Sequence, residues 1–170
     1  MIGPVLARLS SDKKRIAWLA EETAALTGLE LFPQYLTLLF EIDALFLNDD
    51  RHLNNIAVLE KNGQYDYCPI FDNGAGLLSN AQMAPMDIDP AALIRSAEAR
   101  PFHMTFNRQM IHMRNLYGPQ LTISRFTEKD IYHELEEPLH FYAQRDRGII
   151  MDRVCQTVLL RQKEFLKGKR

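Results

Sequence analysis

Apolar residues follow a helical rhythm toward both ends of this chain and alternate only over a short stretch near its middle. Residues 12–26 repeat Ile16, Leu19, Ala20 and Thr23 on one helical face, with Ser10 or Ser11 placed to cap the start and Gly28 to end it. Pro33 suits the first turn of a second helix over residues 33–47. There Leu36, Leu39, Phe40, Asp43 and Phe46 recur at helical spacing, and Leu38, Ile42 and Leu45 widen the apolar surface. A helix apolar on most sides belongs in a core. The rhythm breaks at Asn48, where residues 48–55 are too polar for a core helix. Residues 56–60 and 65–71 then read as two strands joined by a Lys61-Asn62-Gly63 turn, a hairpin with Asn-Gly at its tip.

Beyond Gly76 the pattern is irregular, with a Pro- and acid-rich loop over residues 83–90 and a short helix over residues 90–99. A helix is predicted over residues 102–117, closed by Gly118-Pro119, its Phe102, Met104, Phe106, Met110 and Met113 suiting a core. Thr127 to Asp130 matches a capping box opening another helix. Pro138 bends or restarts that helix, and residues 147–167 form the last one. The fold class that follows is α+β, mainly helical, around a small β-hairpin.

With 170 residues, 46% of them hydrophobic, the chain supports one core but not two comfortable domains. A net charge of −2 gives no global positive field for nucleic acid or anionic lipid. The basic residues gathered at the end (Arg161, Lys163, Lys167, Lys169, Arg170) read as a solvated helix terminus. Cys68 and Cys155 lie far apart among apolar neighbours and read as buried thiols of a cytosolic protein, too few for a disulfide scaffold or a four-ligand zinc site. The start lacks a signal-peptide pattern, and the most apolar window, residues 36–47, carries Glu41 and Asp43 and is too short to span a bilayer. The expectation is a cytoplasmic protein with no membrane and no direct nucleic-acid partner.

The chemistry concentrates where the hairpin begins and ends. Its topology returns the segment after the second strand to the loop that feeds the first. Asp50 is thereby a candidate general base, and Asn55 and Asp72 are oxygen ligands suited to magnesium. Gly74 and Gly76 follow at once, and glycine lets a chain approach phosphates or take positive φ. Asp49 and Asn54 read as turn formers, Arg51 as an internal ion-pair partner, and His103, His112, His133 and His140 as ordinary surface or half-buried histidines. Trp18 reads as a core or lobe-contact residue, and Tyr65 and Tyr67 share one hairpin face and pack.

Asp50-Arg51-His52-Leu53-Asn54-Asn55 resembles the D-R-H-x-x-N catalytic loop of HipA-like serine/threonine kinases and the related phosphatidylinositol kinases. Phe71-Asp72-Asn73-Gly74-Ala75-Gly76-Leu77-Leu78, with Arg100-Pro101-Phe102, most resembles the bacterial HipA-like branch. The resemblance implies the carboxy-terminal lobe of such a kinase over residues 1–170. Asp50 is then the catalytic base, with His52 supporting the loop or approaching the phosphate. Asn55 and Asp72 hold magnesium, Gly74 lies against the nucleotide, and ATP is the substrate. The protein substrate and any toxin–antitoxin role stay open. The residues before Asp50 read as helices, with no G-x-G-x-x-G and no Walker-type loop, so the amino-terminal nucleotide-gripping lobe is expected to be absent. A second chain supplying that lobe, a fragment, or lost catalysis each fits, and weak or no activity is expected of the isolated chain. A scaffold or binding module made from an inactive lobe, and a lipid kinase, are the alternative functions.

Overall fold

Helix formation starts from strong local signals, and one helix becomes the axis on which the others pack. A computed structural model describes residues 2–167. After a one-and-a-half-turn α1 (Gly3–Arg8), the Ser11 hydroxyl accepts from Lys14 N and opens α2 (Asp12–Thr27), which Gly28 ends in the left-handed region. Pro33 sits in the first turn of α3 (Phe32–Phe46), whose Leu36, Leu39, Phe40, Ala44 and Leu45 are all buried. Phe46 instead lies exposed at the rim. Then come α4 (Pro90–Ser96), α5 (Phe106–Tyr117), α6 (Glu128–Glu136) and α7 (Gln144–Lys167). Helix α3 packs against α2, α5 and α7, so a single apolar helix is covered on three sides. Trp18 lies half-buried against this core, while Met104, Phe106, Met110 and Met113 are buried within it. The class is α+β and mainly helical, with two small antiparallel sheets. Among the described residues no helix is long and apolar enough to cross a membrane.

The hairpin forms where expected but is shorter. Strands β1 (Val58–Lys61) and β2 (Gln64–Tyr67) pair with Val58 opposite Tyr67 and Lys61 opposite Gln64. Asn62 and Gly63 both take positive φ, as a type I′ turn requires. Pro69, which has no amide N–H to donate, follows the second strand, and a 3₁₀ turn over Leu53–Asn55 precedes the first. Tyr67 packs on Tyr35 and accepts from Leu31 N, whereas Tyr65 is exposed.

Three expectations need correction. Residues 98–105 are not helical: β3 (Glu98–Ala99) and β4 (Met104–Thr105) pair across a tight turn. The residue before a proline disfavours helical backbone, and the Thr105 hydroxyl then caps α5 by accepting from Arg108 N. Cys68 is half-buried, and only Cys155 is buried. The basic terminus is not uniformly solvated, because Arg161 is buried. Its Nε donates to Ala44 O at 2.7 Å and its Nη2 to Asn107 Oδ1 at 2.9 Å. Burial lowers its pKa to about 10. Lys169 and Arg170 lie outside the described residues. The capping box at Thr127 forms, and Pro138 restarts the chain as a 3₁₀ turn over Pro138–Phe141.

Glu41 stands in the middle of the axial helix and is fully buried, which is tolerable only if its charge is met. Arg114 Nε donates to one oxygen, and the backbone N–H groups of Gln120 and Leu121 donate to the other at 2.9 and 2.6 Å. One carboxylate therefore fastens α5 and the chain beyond it to α3. Glu41→Ala strands Arg114 and two N–H donors and is expected to cost about 3–5 kcal/mol in urea unfolding. Glu41→Gln keeps an acceptor and is expected to cost less; equal stability in all three proteins would refute the fastening role.

Candidate active site

The loop after α3 begins with a forced stop. Leu47 takes the left-handed conformation at φ +54°, and the N–H of Asn48 donates to Asp43 O. What shapes the loop beyond it is the Arg51 guanidinium, which is wholly buried. Nε and Nη2 donate to the two oxygens of Asp43 at 2.9 and 3.0 Å, a two-pronged pair inside the protein. Nη1 donates to Asn55 O at 3.1 Å and to Phe71 O at 2.6 Å, and Nη2 also reaches Asn73 Oδ1 at 2.6 Å. Arg51 thus ties the end of α3, the loop and the segment after the hairpin to one point. Burial pushes the Asp43 carboxyl above its ordinary range, opposed by the Arg51 bonds and charge and by Asn48. Arg51 is the expected internal ion-pair partner, and the structure supplies Asp43 as its mate.

Asp72 is held from both sides by that grip. Phe71 and Asn73 are bound to Arg51, and Asp72 O accepts from Asn48 Nδ2 at 3.3 Å. Its φ of +55° is unusual for a residue with a side chain, though aspartate tolerates it better than most. The result leaves the Asp72 side chain exposed at the surface, with Oδ2 accepting from Asn55 Nδ2 at 2.6 Å. Asn55 Nδ2 donates as well to Asp50 O at 3.1 Å. The hairpin therefore brings Asn55 and Asp72 into direct contact.

The Asp50 carboxylate is not part of that contact. It is half-exposed, and its Oδ1 accepts from Arg100 Nη1 at 2.7 Å. Its Oδ2 accepts no hydrogen bond among the described residues. Asp49 and Asp50 line a cleft of about 540 Å³ together with Ser96, Glu98, Arg100 and His103. Burial raises the Asp49 carboxyl above its usual range; Arg100 opposes the shift and Asp50 adds to it. His52 is half-buried, and its backbone N–H donates to Asp50 O at 2.7 Å. Asn54 is exposed, as suits a turn former.

Of the two uses expected of the glycines, positive φ is not the one found. Neither Gly74 nor Gly76 has positive φ; the left-handed residues here are Asp72, Leu77 and Leu78. A Cβ on Gly76 would stand 3.1 Å from Phe46 O, so that glycine permits close approach to the end of α3. A Cβ on Gly74 would meet nothing within 4 Å, leaving its backbone open on that side.

The donor set can be tested against a metal. No group of three or more His, Cys, Asp or Glu residues suited to a metal ion exists among the described residues. Asn55 and Asp72 offer only oxygen ligands, and Asn55 Oδ1 accepts no hydrogen bond among the described residues. Asn55 now turns its Nδ2 toward Asp72, so the two would suit a hard cation such as magnesium, its shell completed by water and phosphate oxygens, with the amide turned to present Oδ1.

With the site's geometry established, comparison with known proteins adds nothing to it. No family model, curated protein or solved structure matches the chain. Sequence reasoning had no role for Asp43, Asn48, Asn73 or Arg100. An acid inside an otherwise apolar helix was the available signal for Asp43, since such a charge requires a buried partner.

Arg51→Met leaves Asp43 buried without its cation and is expected to destabilise the fold by about 3–5 kcal/mol. Arg51→Met combined with Asp43→Leu is expected to cost less than the sum of the single changes. Strict additivity in denaturant unfolding would show that the two residues are not coupled.

Proposed function

We propose that this chain is the catalytic lobe of a HipA-like serine/threonine kinase, moving the γ-phosphate of ATP to a Ser or Thr hydroxyl with magnesium. One observation supports the reading above the others: the 2.6 Å contact that joins Asn55 of the first motif to Asp72 of the second. The hairpin and Arg51 bring the two motifs together, and the Asp72 carboxylate meets Asn55 while itself staying exposed. Phosphoryl transfer needs that arrangement, because one cation must be reached from both.

In this reading Asn55 and Asp72 hold the cation, which when bound offsets charge on the nucleotide's phosphates. Asp50 Oδ2, without a partner of its own, accepts the proton of the acceptor hydroxyl as its oxygen bonds to the γ-phosphorus. The bond between that phosphorus and the β-phosphate oxygen breaks, and ADP leaves. The open side of Gly74 allows phosphates near the backbone. Arg51 contributes rigidity, fixing both motifs to α3 before substrate arrives, and preorganisation of this kind lowers the barrier. A nucleotide-gripping lobe, carried on this polypeptide or on another, completes the clamp and excludes water.

The test is single-turnover transfer from γ-labelled ATP to a pool of Ser- and Thr-containing peptides, with the chain at high concentration and with a candidate amino-lobe partner. Transfer is expected to require magnesium and to vanish in Asp72→Ala and Asn55→Ala. Asp50→Asn is expected to retain nucleotide binding by calorimetry while slowing transfer by about 100- to 10,000-fold. Labelling that persists unchanged in Asp50→Asn and Asp72→Ala would sink the kinase reading.

A further inference from the structure

We infer that Arg100 is a positioning residue for Asp50, holding one carboxylate oxygen so that the other faces the acceptor hydroxyl. The inference rests on the kinase reading and adds to it a residue from outside both motifs. Its basis is the 2.7 Å bond from Arg100 Nη1 to Asp50 Oδ1 across the mouth of the cleft that both residues line.

Ion pairs between exposed side chains are ordinarily loose, because two long side chains must be ordered at once in water. Here both backbones are already fixed. Asp50 O accepts from His52 N and Asn55 Nδ2, which locks the carboxylate's own residue. Arg100 stands on the turn between β3 and β4, with Ala99 fully buried on one side. On the other side Phe102 is buried edge-on against Phe40 at 6.2 Å. Arg100 O accepts from Gln109 Nε2, itself a buried side chain of α5. The Arg100 charge also acts on Asp49, but its hydrogen bond in the cleft goes to Asp50. Glu98 lies 3.8 Å from His103 Nδ1, and Asp49 forms no ion pair with Arg100.

A single guanidinium nitrogen on a single oxygen leaves Asp50 Oδ2 as the free acceptor. An aspartate joined to its backbone by two rotatable bonds would otherwise sample several directions in solvent, few of them productive. Arg100 removes that freedom and leaves Oδ2 as the oxygen without a hydrogen-bond partner among the described residues. Because the pair is exposed, its loss should cost folding little, so a kinetic effect can be separated from a structural one.

The experiment uses the same single-turnover assay and peptide pool, with wild type, Arg100→Ala, Arg100→Gln and Arg100→Lys, each also in an Asp50→Asn background. Arg100→Ala and Arg100→Gln are expected to slow transfer by about 10- to 100-fold, with the nucleotide KM and the melting temperature unchanged. Arg100→Lys, which can still donate to one oxygen, is expected to recover to within about fivefold of wild type. In the Asp50→Asn background the Arg100 substitutions are expected to cost less than about twofold further, because the group they act through is gone. Transfer that depends on Asp50 but is unchanged in Arg100→Ala and Arg100→Gln overturns the inference and leaves the kinase reading standing. Equal losses in both backgrounds overturn it too, by giving Arg100 a separate role. Transfer that is absent from wild type, or indifferent to Asp50→Asn, overturns both.

Discussion

The buried guanidinium of Arg51 is the interaction on which the arrangement of this protein depends. It makes five hydrogen-bonding contacts, to Asp43, Asn55, Phe71 and Asn73, from a position with no solvent exposure. Without Asp43 the charge would be intolerable there, and without the carbonyls of Asn55 and Phe71 its remaining donors would be unmet. Satisfying Arg51 therefore requires three separate stretches of chain to converge. The convergence shapes the surface above it, where Asp50 and Asp72 emerge beside the buried Asn55.

This division between a buried cation that organises and exposed acids that could react explains several oddities at once. Leu47 and Asp72 both adopt left-handed backbone, which apolar and branched surroundings rarely reward. Each sits directly beside a residue bound into the Asp43–Arg51 cluster, so neighbouring hydrogen bonds hold the strained conformation in place. Asn48 serves both ends of the arrangement, donating to Asp43 Oδ1 and to Asp72 O. The Glu41 cluster does the same work two residues earlier, fastening α5 and the loop after it to the other side of α3. A helix that is mostly apolar thus carries two buried acids, each serving as a fixed attachment point for loops that have little core of their own.

An apolar groove of about 920 Å³ runs beside the site, floored by Ile42 and Phe46 of α3 and walled by Leu139, Ile150 and Val154. It meets the Asp50 cleft at Leu78, which lines both. The segment from Asp72 to Leu78 is therefore a narrow partition between a polar cleft and an apolar one. It is anchored on both sides: Gly76 rests on Phe46, Leu77 N donates to Phe46 O, and Leu77 and Leu78 pack against the core.

Much of this architecture was legible in residue order. Caps at Ser11 and Thr127, the prolines at 33 and 138, the stop at Gly28 and the Asn62-Gly63 turn are local signals, and local signals act through a few neighbouring backbone groups. The meeting of Asn55 with Asp72 was implied by the hairpin, since two antiparallel strands must return the chain to where it began. What residue order left open was every choice made by a long side chain between distant partners. Whether Arg161 lies in water or reaches Ala44, whether residues 102–105 join the helix or pair as a strand, and which group claims Asp50 are settled by packing across the fold. The sequence by itself determined the elements and the pairing of the two motifs, because those depend on short-range backbone chemistry. Tertiary structure alone decided the partners of Asp43, Arg51 and Asp50, because a charge finds its counterpart by distance in space and not by spacing along the chain.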